Sequence, residues 1–260
     1  MLTLDYSRVR HPTHCLADLS VLFAQLTSTV EVGRDMLTQV YEVSTPQEAD
    51  AISSLGVDHI GVLVGDGTFP RELPASKAAE ILAAVRQPSK AVALFLSADL
   101  ALIEQMIRTL QPPIVHLGAA PELVSPSDVS ALRKPFRNTL FMRSIPVVGS
   151  RSVSLAKSYG RAVDFLLLDS HREGDAQIGA LGITHDWTIS RSIVESVDTP
   201  AILAGGLGPD NVTDAIIAVR PAGVDSKTKT DIGKTHAKDL RRVEAFHTAA
   251  KNALLRPNAE

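Results

Sequence analysis

From residue 37 onward the chain alternates short apolar runs with stretches of helical periodicity, and eight such units follow one another. The apolar runs cover 37–43, 58–64, 90–96, 112–117, 139–144, 163–168, 200–204 and 222–226. Runs of this length, rich in Val, Ile and Leu and separated by amphipathic segments, are the signature of parallel strands joined by helical crossovers. Between them, Ala78, Ile81, Leu82 and Val85 fall at helical spacing. So do Leu100, Ile103, Ile107 and Leu110, and again Val212, Ile216 and Val219. Each segment can therefore lay one apolar face on a sheet. Eight units favour closure, so the expected fold is α/β, a (β/α)8 TIM barrel rather than an open doubly wound sheet. The 260 residues divide into a barrel domain at 37–260 and an N-terminal extension at 1–36, with a helix expected at about 16–26.

The balance of 26 basic and 29 acidic residues, with 4% aromatics, gives neither a basic footprint nor a set of stacking rings, so nucleic acid is not an expected partner. No apolar run approaches the roughly 20 residues that span a bilayer, and no membrane partner is expected. Asp5, Arg8, Arg10 and His11 interrupt the N-terminus before an apolar stretch develops, unlike a secretory signal. The single cysteine, Cys15, forms no intrachain disulfide and agrees with a reducing compartment. The reading is a cytoplasmic protein; a homodimer is compatible with it.

The most informative local feature runs from Leu203 to Val212, Leu-Ala-Gly-Gly-Leu-Gly-Pro-Asp-Asn-Val, followed by Gly223-Val224-Asp225. An apolar strand enters a Gly-Gly turn, and a helix is expected to start with Pro209 in its first turn. The next strand leads into Lys227, Thr228 and Lys229, so two consecutive loops offer amides, a hydroxyl and ammonium groups to one region. In a barrel of this type the loops after strands seven and eight commonly hold phosphate. The expected ligand is a phosphorylated small molecule, held by Gly205, Gly206, Lys227 and Thr228. Two further loops, 65–74 with Arg71 and 170–184, stand after the second and sixth strands, where binding and catalysis normally reside.

These landmarks resemble the phosphoribosylanthranilate isomerase family over roughly residues 37–250. Leu203 to Val212, Ala215-Ile216, Pro221 to Asp225, Gly233, Lys238-Asp239 and Phe246 follow the family's closing pattern. Upstream, Leu167-Leu168-Asp169, Gly179-Ala180-Leu181-Gly182 and Asp186-Trp187 match its Leu-Leu-Asp, Gly-Gly-Thr-Gly and Phe-Asp-Trp landmarks, and Phe69-Pro70-Arg71 matches Ser-Pro-Arg. The resemblance implies an Amadori-type rearrangement in which a general acid opens a ribose ring and a base moves the proton from carbon 2. It assigns the acid to Asp169, adds Gly182 to the phosphate site, and expects no cofactor and no metal.

The family's base, a cysteine in a first-strand Lys-Ile-Cys-Gly motif, is missing: Tyr41 stands there, within Gln39-Val40-Tyr41-Glu42-Val43. Tyr41, with an unperturbed pKa near 10, is a poor base at neutrality. Glu42 is chemically better suited but follows Tyr41 directly and faces the other side, unless it sits at the strand mouth. His116, in His116-Leu117-Gly118 where the family has Gln-Leu-His, is expected to face the barrel interior and to titrate near pH 6.5. Arg71 and Arg143, the latter replacing a family lysine, are the expected substrate-binding cations. Asp169, His171 and Asp175 have donor types suited to a metal, but their spacing matches no established cage. Trp187, with Ile183 and Ile189, is expected to pack where the sixth helix begins. Three functions remain open: an aldose–ketose isomerase of a phosphorylated sugar or aminosugar, an aldolase-type lyase through Lys227 or Arg143, and a non-catalytic phosphate-ligand-binding protein.

Overall fold

Eight parallel strands hydrogen-bond side by side in chain order, and the last returns to the first, in a computed structural model that describes residues 36–171 and 183–253. They are β1 (Leu37–Tyr41), β2 (His59–Leu63), β3 (Lys90–Phe95), β4 (Ile114–Leu117), β5 (Leu140–Pro146), β6 (Phe165–Asp169), β7 (Ala201–Leu203) and β8 (Gly223–Ser226). Closure is made by Leu37 to Val40 lying in register against Gly223 to Ser226. All eight expected strands form, and the chain is the (β/α)8 barrel that their number implied. The expected extension and its helix, Gly182 and Asp175 lie outside the described residues.

The helices are α1 (Pro46–Ser54), α2 (Ala75–Ala83), α3 (Leu100–Leu110), α4 (Pro126–Arg133), α5 (Arg151–Gly160), α6 (Trp187–Ser196), α7 (Val212–Val219) and α8 (Leu240–Asn252). Five of them begin on a short polar side chain, Thr45, Asp99, Ser125, Asp186 or Asp239, that accepts a backbone N–H of the first turn. Such caps satisfy amides that have no partner within the helix. None of the described helices is long and apolar enough to cross a membrane.

One expected boundary is corrected. Helix α7 begins at Val212 rather than around Pro209. Asn211 accepts the Gly208 N–H at 2.9 Å and donates to the Gly206 carbonyl at 3.1 Å, so its side chain closes a separate turn ahead of the helix. Trp187 does open α6 and packs with Ile189 against the core, but Ile183 is exposed.

Alternation along the strands sorts the core into two clusters. Tyr41, Leu63, Val92, Leu94, Ile114, Met142, Leu167 and Ile202 pack together inside the ring. The residues of opposite parity, among them Val40, Val62, Ala93, Val115, Phe141, Leu166, Leu203 and Val224, join the larger cluster between ring and helices. The interior is not wholly apolar. Gln39 donates to Asp225 at 3.3 Å, and its amide oxygen lies 3.2 Å from His59 Nδ1, placing a polar layer below the tyrosine.

Gly61 lies opposite Tyr41 in the β1–β2 register, and a Cβ there would sit 1.9 Å from two carbons of the Tyr41 ring. Absence of a side chain at Gly61 is what lets the phenol lie across the barrel. Gly61→Ala is therefore expected to cost about 1–3 kcal/mol by overpacking and to displace the phenol. A thermal melt and a crystal structure of the variant check both expectations.

Candidate active site

The C-terminal mouth of the barrel holds a cleft. Its walls carry Tyr41, Glu42, Arg71, His116, Asp169, Gly205, Gly206, Lys227 and Thr228, all singled out in the sequence, together with Ser144, Leu94, Leu96, Leu167 and Asp225. Strand parity explains much of this convergence. Tyr41, His116, Ser144, Asp169 and Asp225 occupy inward positions near the C-terminal ends of five different strands.

Asp225 is the residue absent from the sequence-derived set. Burial, followed by the negative charge of Asp169, pushes its carboxyl up to about 8, against the opposing hydrogen bond from Gln39. At neutral pH it is an acid with a proton to give. Asp169, at the end of β6, accepts the Ser170 amide N–H at 2.7 Å and the Ser170 hydroxyl at 3.3 Å. Two carboxyl groups, Asp225 holding its proton more tightly than an ordinary carboxyl, thus face one cleft, a recurrent arrangement in acid–base catalysis. The parity signal was available: Gly223 inward, Val224 outward, Asp225 inward at a strand end, as for Asp169.

Below them runs a neutral hydrogen-bonded chain. Tyr41 OH lies 2.7 Å from His116 Nδ1, and His116 Nε2 lies 2.7 Å from Ser144 Oγ. Burial, then the charge of Arg143, holds His116 down at about 3, whereas burial and the charge of Asp225 push Tyr41 well above the usual phenol range. The expected titration of His116 near neutrality is thereby corrected: desolvation disfavours the imidazolium, and the positive charge of Arg143 acts in the same direction. Tyr41 and His116 remain uncharged at neutral pH and serve as hydrogen-bonding groups.

The rim is ionic. Glu42 stands one residue beyond β1, at the strand mouth, where the alternation that would turn it outward no longer applies. Its carboxylate takes Arg71 Nε at 2.7 Å, Arg71 Nη2 at 3.2 Å and Lys227 Nζ at 3.0 Å. Burial disfavours its ionised form, but the hydrogen bond from Arg71 and the charges of Lys227 and Arg71 outweigh burial and hold it below the usual carboxylate range. The Arg71 loop is itself braced: Glu72 accepts the Gly67 and Phe69 amides, each at 3.1 Å, and Arg71 takes a left-handed φ of 70°.

Opposite this rim, Gly205 and Gly206 have φ of 87° and 61°, a conformation that side chains rarely adopt. A Cβ on Gly205 would lie 2.9 Å from His185 Nδ1 and 3.3 Å from Asp169 Oδ1, so the turn also depends on close approach. Among the described residues the amides of Gly205, Gly206 and Leu207 donate no hydrogen bond, and Lys227 and Thr228, which follow the neighbouring strand, line the same cleft. Successive N–H groups of this kind form an anion-binding nest. Lys229 is exposed and does not line the cleft, so of the two lysines only Lys227 belongs to it.

Arg143 does not bind substrate in this arrangement. It shares the outward parity of Phe141 and Ile145, is completely buried, donates to the Leu117 carbonyl at 2.8 Å and lies over the Tyr159 ring at 4.9 Å. The strand pleat places it on the helix side of β5. Among the described residues no group of three or more His, Cys, Asp or Glu is placed to hold a metal.

A closed (β/α)8 barrel with paired carboxyl groups, a glycine turn and an ionic rim at its C-terminal mouth has the layout of a barrel enzyme site. The family model described as N-(5'-phosphoribosyl)anthranilate isomerase matches residues 38–249, and the chain belongs to this isomerase family. The N-(5'-phosphoribosyl)anthranilate isomerase of Methanocella arvoryzae is 33% identical over 204 residues, covering 78% of this chain and 92% of that protein. The enzyme of the same name from Afipia carboxidovorans is 31% identical over 228 residues, 85% and 92% of the two chains. Among solved structures, the Pyrococcus furiosus enzyme superposes with a TM-score of 0.68 at 22% identity, covering 84% of this chain and 99% of that one, which shows the shared fold.

Asp225 also supplies a test of the site's electrostatics. Its folded-state pKa, about 8, stands above an unfolded value near 3.9, so the folded chain retains a proton that the unfolded chain releases. Stability is accordingly expected to fall as pH rises from about 4 to about 8 and to stay low above it. Asp225→Asn removes this penalty. Melting curves should show the variant close to wild type near pH 4 and several degrees more stable at about pH 8–9.

Proposed function

We propose that the protein is an aldose–ketose isomerase of the Amadori type, acting on a phosphorylated aminosugar, with Asp225 as general acid and Asp169 as general base. The observation that carries this reading is the pair of carboxyl groups facing one cleft, one of them proton-bearing at neutral pH, beside an anion nest. The phosphate rests on the amides of Gly205, Gly206 and Leu207, with Lys227 and Thr228 opposite.

Asp225 gives its proton to the ring oxygen as the bond from that oxygen to carbon 1 breaks, leaving an open chain with a carbon–nitrogen double bond. Asp169 removes the proton from carbon 2, and the electron pair shifts to form an enolamine. The carbon 2 hydroxyl then returns a proton to Asp225 as Asp169 delivers its proton to carbon 1, which restores both groups, and the aminoketose results. No redox partner is needed, because carbon 1 is reduced by the electrons that carbon 2 gives up. Tyr41, His116 and Ser144 hold the sugar hydroxyls as neutral hydrogen-bonding groups. Lys227 is tied to a carboxylate rather than set in an apolar pocket, which disfavours the Schiff-base lyase.

Asp169→Asn keeps the shape and removes the base. Turnover of the aminosugar phosphate is expected to drop at least about a hundredfold, while melting and phosphate affinity stay near wild type. A variant that loses only stability would make Asp169 structural and overturn the assignment. In the wild type, kcat/KM should decline as pH rises through about 8, where Asp225 loses its proton, and a profile flat to pH 9.5 would remove Asp225 from the acid role.

A further inference from the structure

We propose that Gln39 and His59 are positioning residues for the general acid: His59 orients the Gln39 amide, and that amide holds Asp225 with one carboxyl oxygen turned into the barrel and the other left for the substrate. The inference rests on the reading of Asp225 as the acid and adds what fixes its reactive oxygen.

Strand register puts the three residues in one layer. Gln39 on β1 lies opposite His59 on β2 and opposite Asp225 on β8, so inward side chains of three adjacent strands meet across the ring. All three are buried, and Gln39 is completely enclosed. His59 Nδ1 lies 3.2 Å from Gln39 Oε1, while Gln39 Nε2 donates to Asp225 Oδ1 at 3.3 Å and has Met142 Sδ at 3.9 Å as a second acceptor. An amide has one donor end and one acceptor end. A carboxyl oxygen and a thioether take the donor end, so the carbonyl end faces His59, whose Nδ1 carries the hydrogen. The His59 ring is held in turn by Phe165, edge on at 80° with ring centroids 5.5 Å apart.

A direction for the acid follows. Oδ1 of Asp225 already accepts an N–H and is the poorer site for a proton, so the proton sits on Oδ2. Asp225 lines the cleft, and its bond to Gln39 draws Oδ1 toward the enclosed layer below. Without the amide the carboxyl group would be free to turn about its Cβ–Cγ bond, and its proton would face away from the ring oxygen of the sugar for part of the time. A general acid must meet its acceptor within hydrogen-bond reach, so a fixed rotation raises turnover rather than affinity.

The charges around the column do not replace the amide. Asp169 on β6 favours the protonated form of Asp225, whereas Lys227 and Lys238, beyond β8, oppose it as the Gln39 hydrogen bond does. Tyr41, the next inward residue of β1, is uncharged in this range. Burial, opposed by Asp58 and aided by Lys90, holds His59 down at about 4, so its ring is neutral while Asp225 titrates near 8. His59 therefore acts on Asp225 through the amide and not through a charge.

Two readouts separate positioning from packing. The carboxyl titration of Asp225, followed by carboxyl-carbon NMR and assigned by its loss in Asp225→Asn, should move upward by about one pH unit in Gln39→Leu, because a hydrogen bond that favours the carboxylate is gone. With N-(5'-phosphoribosyl)anthranilate as the aminosugar phosphate probe, the same variant should lose at least about tenfold in kcat while KM stays within about threefold of wild type. His59→Leu should show the same split, and His59→Asn, whose amide N–H stands in for Nδ1–H, should restore most of kcat. A folded Gln39→Leu protein in which either the titration or kcat keeps its wild-type value overturns the inference, as does a His59→Asn protein no better than His59→Leu. Should Gln39→Leu fail to fold, the two His59 variants decide by the same readouts. If wild type and Asp225→Asn turn over the probe equally, or not at all, the acid reading falls and the inference with it; failure of the inference alone leaves Asp225→Asn impaired beside an active wild type.

Discussion

Closure of the sheet is the constraint on which everything else in this protein depends. Once β8 pairs with β1 there is no sheet edge, and each strand residue must face either the inside of the ring or the helices around it. The two faces impose different chemistry. The outer layer is filled by aliphatic side chains that pack under the helices, whereas the inner column is narrow and ends at an open mouth. Polar groups facing inward near the strand ends therefore meet one another whether or not they are close in sequence.

At this mouth, burial of Asp225 beside the half-buried Asp169 sets its protonation. The Asp225 carboxyl is desolvated and lies in the field of Asp169, and both effects favour its protonated form. The same desolvation works in the opposite sense on His116, which loses its capacity to ionise near neutrality and becomes the centre of an uncharged chain between Tyr41 and Ser144. One physical cause thus produces an acid from an aspartate and a passive hydrogen-bonding group from a histidine. A buried carboxyl group at position 225 lowers stability as pH rises towards its raised pKa, a cost often met at functional sites.

The rim behaves differently because it is only partly shielded. There the opposite charges of Glu42, Arg71 and Lys227 compensate one another, and their mutual attraction outweighs the burial of Glu42. An ionic rim lies above a neutral polar interior, and the cleft is lined by the glycine turn at Gly205 and Gly206 and by the apolar side chains of Leu94, Leu96 and Leu167.

The periodicity of eight apolar runs determined the barrel, because a two-residue strand repeat and a helical repeat of between three and four residues are local properties of a chain. The glycines at 205 and 206 marked the turn at the cleft for the same reason: positive φ is a local demand that glycine meets. Asp169 was readable from its place at a strand end. What the sequence could not carry was direction and environment. Arg143 looked like a ligand-binding cation until the pleat of β5 turned it against Tyr159, and Asp225 looked like the mere end of a strand until closure set it beside Asp169. Glu42 has no meaning as an ion-pair partner without Arg71, which is 29 residues away, and Lys227, which arrives from the last strand. Side-chain direction, desolvation and charge pairing depend on atoms brought together through space, and only the tertiary structure decides which atoms those are.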